Sequence, residues 1–314
     1  MRYLSVCSGI EAATVAWHQL GWTPEAYSEI EKFPASVLAH HYPQTPNLGD
    51  MTNYKEWNIG DIDLLVGGTP CQSFSVAGLR KGLDDPRGNL ALVYLGIAER
   101  FHPRWLLWEN VPGVLSSSGG RDFGSFLGAM AQLGYGFAYR VLDAQYFGVP
   151  QRRRRVFVVG YLGDWRRAAA VLFESHSLQG HPAPSRKKGE EVAGSLASSS
   201  GGCNDQNRAG AFIHSAIWID EECNATVEGF GPLLRGGQGG TRQAVAFHAS
   251  PMQVRRLTPT ECERLQGFPD GYTNIPWRNK PESPDGQRYR ALGNSMAVPC
   301  MRWLGERIQM VDDI

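Results

Sequence analysis

Short, uniformly apolar runs open this chain, separated by stretches in which apolar residues return every three or four positions. RYLSV at 2–6, DIDLLVGG at 61–68, RWLLWEN at 104–110, FAYRVL at 137–142 and RVFVVGYL at 155–162 have strand length and strand composition. A further strand is expected to end near Glu29. Between them, 11–20, 34–41, 89–101 and 121–133 carry helical spacing, with Ala12, Val15, Ala16 and Leu20 on one face of the first. Strands that are apolar on both faces and joined by helices need cover on both sides. The pattern therefore predicts an α/β fold, Rossmann-like, with a mostly parallel sheet flanked by helices.

Over 163–254 the texture changes. SLASSSGGCNDQN at 195–207 and LLRGGQGG at 233–240 are too rich in serine and glycine to pack a core, and read as long loops around strand candidates such as 211–219. After Arg255 the αβ texture returns. Thr258 and Glu261 have the spacing of a capping box with Pro259 at the first helical position, and an amphipathic helix is expected over about 296–310. The expected organisation is a first domain over 1–162, a smaller insert of short strands and loops over 163–254, and a segment 255–314 that completes the first domain.

With 314 residues, 42% of them apolar, a sizeable core is affordable. No window approaches the roughly 18 apolar residues of a membrane span, and no basic-then-apolar leader is visible, so a cytoplasmic protein is expected. The six cysteines are far apart, without the paired spacing of a zinc module or disulfide scaffold; no metal is expected. Zero net charge argues weakly against a nucleic-acid partner, but its distribution matters more. Residues 121–188 hold 11 basic against 4 acidic side chains, while 1–120 hold 8 against 12 and the remainder 12 against 15. That mid-chain belt is enough to line one cleft.

The chemistry sits at strand ends. SVCSGIEAA at 5–13 is a strand-to-helix turn whose Gly9 lets the backbone approach a cofactor, and Glu29, about twenty residues on, has the place of a carboxylate that accepts from a ribose diol. Taken singly, each is ordinary. GGTPCQSFSVAG at 67–78 is stronger: Cys71 follows a buried strand and is surrounded by turn residues that would pack poorly around a core thiol. WENV at 108–111 ends another strand with Glu109, a carboxylate able to deliver a proton or a short hydrogen bond. In QRRRRVFVVG at 151–160, strand alternation lets Arg153 and Arg155 face the crevice while Arg152 and Arg154 face elsewhere.

In this order, the cofactor turn, Glu29, Asp50 in GDMT, Pro70-Cys71-Gln72, Glu109-Asn110-Val111, Gln151 with Arg153 and Arg155, RRLTPTECERLQGFPD at 255–270 and RYRALGNSMAVP at 288–299 resemble the DNA cytosine-5 methyltransferases. The resemblance covers about two thirds of the chain and implies a class I methyltransferase domain with an inserted target-recognition domain. It implies S-adenosylmethionine as cofactor, leaving as S-adenosylhomocysteine, in a site formed by Cys7, Ser8, Gly9, Ile10, Glu29, Ile30, Asp50, Met51, Gly68, Pro70, Asn294 and Ser295. Cys71 is similar to the nucleophile that attacks C6 of cytosine, Glu109 to the group on N3 and the exocyclic amine, and Arg153 and Arg155 to the pocket arginines. Gln72, Ser73, Ser75, Arg87, Asn110 and Val111 would meet the DNA. Residues 73–87 look like the loop that closes over it. One departure stands out: many members begin with a phenylalanine and Gly-x-Gly-Gly, where this chain has Cys7 and then Gly9-Ile10-Glu11-Ala12.

The target atom is inaccessible in a stacked duplex, so the base must be flipped out of double-stranded DNA. Phosphate contacts are expected from Arg166, Arg167, Arg186, Lys187 and Lys188, and base readout from Arg235, Gln238, Arg242 and Gln243 in the insert. Such enzymes resemble bacterial or phage-borne proteins, monomeric, with or without a cognate restriction endonuclease that they do not touch. The rival readings are a tRNA cytosine-5 methyltransferase of the same fold, a catalytically idle DNA-binding homologue and a dinucleotide-dependent oxidoreductase. The Cys-Phe-Thr element of the tRNA group is absent, Cys71 and Glu109 are both present, and the glycine fingerprint is loose for a dinucleotide enzyme.

Overall fold

The computed structural model describes residues 1–70, 90–173 and 255–314 with their side chains, and the backbone of short strands at 216–219, 225–226, 242–247 and 253–254. Six strands, β1 (Arg2–Val6), β2 (Thr23–Ser28), β3 (Leu64–Gly67), β4 (Trp105–Asn110), β5 (Tyr135–Asp143) and β6 (Arg154–Leu162), form one sheet in the order β2-β1-β3-β4-β6-β5. The first four in that order run parallel, and β6 joins β4 antiparallel. Parallel neighbours need a crossover. Helices α1 (Ala12–Trp17), α2 (Lys32–His41) and α3 (Leu90–Phe101) lie in the connections between the parallel strands, and α4 (Arg121–Gln132) follows β4.

The apolar runs become strands because nothing else hides both their faces. Leu4, Val6, Leu64, Leu65, Leu106 and Trp108 are fully buried, and α3 is apolar all round, with Ala91 to Ala98 buried. The Trp108 indole stacks on Phe126 of α4 at 4.3 Å between ring centroids. Gly67 is required where β3 closes on β1, since a Cβ there would stand 2.6 Å from Val6 Cγ2 and 2.8 Å from its carbonyl oxygen.

The chain divides into two compact units, one of Met1–Leu142, Arg154–Pro182 and Met301–Ile314, the other of Asp143–Arg153 and Ala183–Cys300. The first unit also contains α5 (Trp165–Leu172), a helix the serine- and glycine-rich texture beyond 163 did not announce. Asp164 caps it, and Ala168, Val171 and Leu172 are buried. Arg167 Nη1 donates to the Val311 carbonyl at 2.9 Å and its guanidinium lies 5.1 Å from the Tyr161 ring centre. Part of the expected phosphate belt thus serves packing, and Arg166 pairs with Asp164 at 2.9 Å.

In the second unit, α6 (Pro259–Gln266) carries the expected capping box: the Glu261 amide donates to Thr258 Oγ1 at 3.2 Å and the Thr258 amide to Glu261 Oε2 at 2.7 Å. A helix over Asp285–Asn294, α7, was not legible beforehand; α8 covers Val298–Asp312, from Met301 on in the first unit. Strands β7 (Ala216–Ile219), β8 (Ala225–Thr226), β9 (Arg242–Phe247) and β10 (Gln253–Arg255) make an antiparallel sheet in the order β10-β9-β7-β8. Among the described residues, no helix is long and apolar enough to cross a membrane. No group of three or more His, Cys, Asp or Glu there could hold a metal ion.

Candidate active site

Parallel pairing puts the carboxyl ends of β1, β2, β3 and β4 on one edge, where open α/β sheets hold their ligands. Because β6 runs the other way, its first residues reach the same edge, with Val156 opposite Asn110. The functional side chains of the first unit therefore collect there from segments far apart in sequence.

The turn after β1 is tightly held. Cys7, Gly9 and Glu11 all have left-handed φ, at 49°, 57° and 62°. For Cys7 and Glu11 that conformation costs about 1–2 kcal/mol each. The Gly9 amide donates to Glu29 Oε2 at 2.8 Å, and the Glu31 amide to Glu29 Oε1 at 2.6 Å. Ser8 binds across to β2, its amide to the Ser28 carbonyl and its hydroxyl accepting the Ser28 amide at 3.1 Å. Ile10 is fully buried, whereas Ile30 is 69% exposed, an apolar side chain left uncovered beside Glu29. Asp50 caps a short 3-10 turn over Met51–Glu56 by accepting the Thr52 amide at 2.9 Å. Burial pushes the Cys7 thiol up to about 12, helped by the nearby Glu29 and Asp50 carboxylates, so Cys7 stays neutral against Met51 Sδ at 3.5 Å. Burial also raises Glu29 above the ordinary carboxylate value, opposed by its amide donors.

This arrangement fits an adenosyl cofactor by its chemistry. Glu29 supplies acceptor lone pairs for a diol, Asp50 an acceptor for an amine, and Ile30 an uncovered apolar face. Nothing stands within 4 Å of the position a Cβ would take on Gly9, which leaves the backbone open to a ligand.

On β3 and β4 the two chain ends are tied together. Trp108 Nε1 donates to Thr69 Oγ1 at 2.9 Å, and Asn110 Nδ2 to the Thr69 carbonyl at 3.0 Å. Asn110 also accepts the Val111 amide through Oδ1 at 2.8 Å. Gly68 is half-buried and Pro70 exposed at the end of this tied segment. Glu109 stands beside Arg155, Oε1 to Nε 3.2 Å, with side-chain exposures of 12% and 17%. The pair is close enough for ionic attraction, yet the N–H does not aim at the oxygen, so Glu109 Oε1 is buried without a hydrogen bond. An acceptor held in that state is available to a donor that enters the site. Val111 is 39% exposed. Arg153, just before β6, is buried, Arg154 is exposed, and Arg152 and Arg155 are both half-buried.

In the second unit, Arg153 is 3% exposed, and its Nη2 donates to the Ser295 carbonyl at 2.6 Å while both terminal nitrogens reach the Gly293 carbonyl at 3.3 Å. Gln266 Nε2 donates to the Leu292 carbonyl at 2.8 Å. These bonds hold the turn at Asn294, which is exposed, and Ser295, which is buried. Arg153 therefore braces a backbone turn with both terminal nitrogens of its guanidinium. Arg242 begins β9 opposite Ile219, and Gln243 lies opposite Trp218. Cys71, Gln72, Ser73, Ser75, Arg87, Arg186, Lys187, Lys188, Arg235 and Gln238 lie outside the described residues.

Three contributors escaped the sequence reading. Asn47 pins the cofactor loops through Oδ1, which accepts the Glu29 amide at 2.9 Å and the Gly49 amide at 3.2 Å. Thr69 joins the ends of β3 and β4, and Glu11 is a buried carboxylate under the turn. Only Glu11 had a signal, as the departure from glycine at that place.

Fold and edge together give an open α/β sheet whose ligand edge carries a left-handed turn bonded to Glu29 and a Glu109–Arg155 pair. The profile of the C-5 cytosine-specific DNA methylase family matches residues 1–310, and the chain belongs to that family. Membership implies use of S-adenosylmethionine. A protein of Escherichia phage P1 named DNA N-6-adenine-methyltransferase is 36% identical over 98% of this chain, which spans 61% of that relative's length. Type II methyltransferase M.SsoII of Shigella sonnei is 30% identical, covering 98% of this chain and 79% of its own. The crystal structure of S. pombe Dnmt2 methyltransferase superposes with a TM-score of 0.65 at 18% identity over 99% of both chains, a likeness of fold.

Proposed function

We propose that this chain is a sequence-specific DNA methyltransferase that adds a methyl group to C5 of a flipped-out cytosine, with Cys71 as nucleophile and Glu109 as its partner. The observation that carries the reading is the family match over 1–310, joined to a buried Glu109 oxygen without a hydrogen bond at the strand end tied to Thr69, two residues before Cys71. C5 of cytosine is a poor nucleophile until C6 is attacked. The Cys71 thiolate forms an S–C6 bond and the displaced electron pair makes C5 enamine-like, while Glu109 holds the proton or hydrogen bond at N3 that this charge shift requires. The bound cofactor supplies an electrophilic methyl group to C5. Loss of the C5 proton then lets the S–C6 bond break and restores the aromatic ring. Arg155 keeps the Glu109 carboxylate oriented, and Glu29, Ile30 and Asp50 hold the adenosyl group. Asn294 and Ser295 are proposed as further cofactor contacts, and Arg153 braces their turn.

The setting belongs to the same proposal: a cytoplasmic, monomeric, metal-independent enzyme acting on double-stranded DNA, with Arg242 among its base readers. It acts beside a restriction endonuclease that it does not contact, or without one.

The name of the phage P1 relative raises a second reading, N6-adenine methylation. An exocyclic amine attacks an electrophilic methyl directly and has no use for covalent addition, so Pro70-Cys71-Gln72 favours cytosine. That alignment runs over 459 positions against 314 residues, so the relative holds sequence with no counterpart here. The test is methylation of a plasmid by purified protein, read at base resolution for both 5-methylcytosine and N6-methyladenine, beside Cys71→Ala. Cytosine methylation at one recurring sequence, lost in Cys71→Ala, supports the proposal. Adenine methylation that survives Cys71→Ala overturns it, as does the absence of any methylation while cofactor binds.

A further inference from the structure

Glu11 is a motif residue that the function above does not use. It is 1% exposed and stands at the head of α1 with φ 62° and ψ 60°, a conformation glycine adopts freely. Both oxygens of its carboxylate accept hydrogen bonds. Oε1 accepts the Ser5 hydroxyl; Oε2 accepts the Thr14 amide at 3.1 Å and the Thr14 hydroxyl. Thr14 Oγ1 is in turn 2.7 Å from Tyr3 OH and 2.9 Å from Tyr27 OH. With the threonine proton given to the carboxylate, both phenols donate to Thr14 Oγ1, whose two lone pairs are then used.

The position of Ser5 gives this network a consequence. Ser5 lies in β1 before the cofactor turn and Glu11 lies after it, so the Ser5–Glu11 bond spans Val6 to Ile10. The Ser8 hydroxyl donates to the Ser5 carbonyl at 2.9 Å, and the Glu11 amide to the Ser8 carbonyl at 3.0 Å. The closed loop is the segment from which the Gly9 amide reaches Glu29. A glycine at 11 would take the same backbone shape and would leave that loop open.

We propose that Glu11 is a positioning residue that clasps the two ends of the cofactor turn, Ser5 and the head of α1, and thereby sets affinity for the adenosyl cofactor. The clasp replaces glycine freedom with a side-chain lock: the left-handed backbone at 11 is held by hydrogen bonds rather than by the absence of a side chain. The inference rests on the functional reading above for the identity of the ligand, and on the hydrogen bonds alone for the clasp.

The full-length chain is compared with Glu11→Gly, Glu11→Gln and Ser5→Ala. S-adenosylhomocysteine binding is measured by calorimetry, and amide hydrogen exchange at Ser8, Gly9 and Ile10 is measured without ligand. Glu11→Gly is expected to weaken binding about tenfold and to speed exchange. Glu11→Gln, which keeps the length and an acceptor, should stay within about threefold of wild type. Ser5→Ala leaves the backbone at 11 untouched and should also speed exchange, which decides the matter if Glu11→Gly does not fold. The KM for DNA should not move. Wild-type binding and exchange in Glu11→Gly, or equal losses in Glu11→Gly and Glu11→Gln, would overturn the proposal. A wild-type chain that binds no S-adenosylhomocysteine would sink the functional reading instead, and exchange in Glu11→Gly and Ser5→Ala would still decide the clasp.

Discussion

Asn110 Nδ2 donates to the main-chain carbonyl of Thr69 at 3.0 Å, joining the ends of two parallel strands from residues 41 apart in sequence. Its other end accepts the Val111 amide, so one side chain fixes both the exit of β4 and the segment that leads to Pro70 and Cys71. On the proposed function this bond bears on rate, because small misplacements of reacting groups are costly.

Asn110→Ala removes a buried donor and leaves the Thr69 carbonyl unpaired. It should cost about 1–3 kcal/mol of stability by thermal or urea unfolding, and at least about tenfold in single-turnover methylation. Unchanged methylation in a folded Asn110→Ala protein would show that the tie is structural only.

Glu109→Gln keeps the size of the side chain and replaces the oxygen pair by an amide. Proton delivery or a charge-assisted hydrogen bond at N3 is then lost, and methylation should slow by about 100-fold. Binding of S-adenosylhomocysteine should be unchanged. A Glu109→Gln enzyme at wild-type rate would remove Glu109 from the chemistry.

The strands, and with them the edge that carries the candidate site, were legible because buried parallel strands write themselves as unbroken apolar runs. Glu109 and Arg155 could be placed there by reading which residue ends a run and which begins one. Their antiparallel juxtaposition could not, since pairing direction is a tertiary fact. Asn47 and Thr69 were invisible for the same reason: an asparagine in a polar loop and a threonine after a glycine turn have no periodic signature, and act through hydrogen bonds 18, 39 and 41 residues long in sequence. Helix α5 was missed because it spans only eight residues, of which Ala168, Val171 and Leu172 alone are buried. Helix α7 sits among charges that mask Ala291 and Leu292.

The capping box of α6 predicts a pH response. Arg255 beside Glu261, with the Thr258 amide, holds the Glu261 carboxyl down at about 2, below its ordinary value of 4.5. A depressed carboxylate contributes stability that is fully present above the ordinary value and is lost as pH falls toward about 2. The pair is partly exposed, so the electrostatic part is worth no more than about 1 kcal/mol. Glu261→Gln should therefore melt below wild type at neutral pH, and the gap should close as pH is lowered through the carboxylate range. A gap that persists at low pH would assign the effect to packing.

Glu29 ties acidity to ligand binding. Burial raises its carboxyl above the ordinary value, while the Gly9 and Glu31 amides favour the ionised form. A ribose diol donates hydrogen bonds, so the ionised carboxylate is the form that binds it, and protonation converts one acceptor into a donor. Affinity for S-adenosylhomocysteine should thus fall as pH drops, with its midpoint above the ordinary glutamate value. Glu29→Gln should bind about tenfold more weakly at neutral pH and lose most of this dependence, because an amide does not titrate. Ile30→Ala, which removes only the uncovered apolar face, should weaken binding and keep the pH profile. Calorimetry on the three proteins from neutral to mildly acidic pH separates these outcomes. An unchanged profile in Glu29→Gln would move the titrating group elsewhere and take the diol contact away from Glu29.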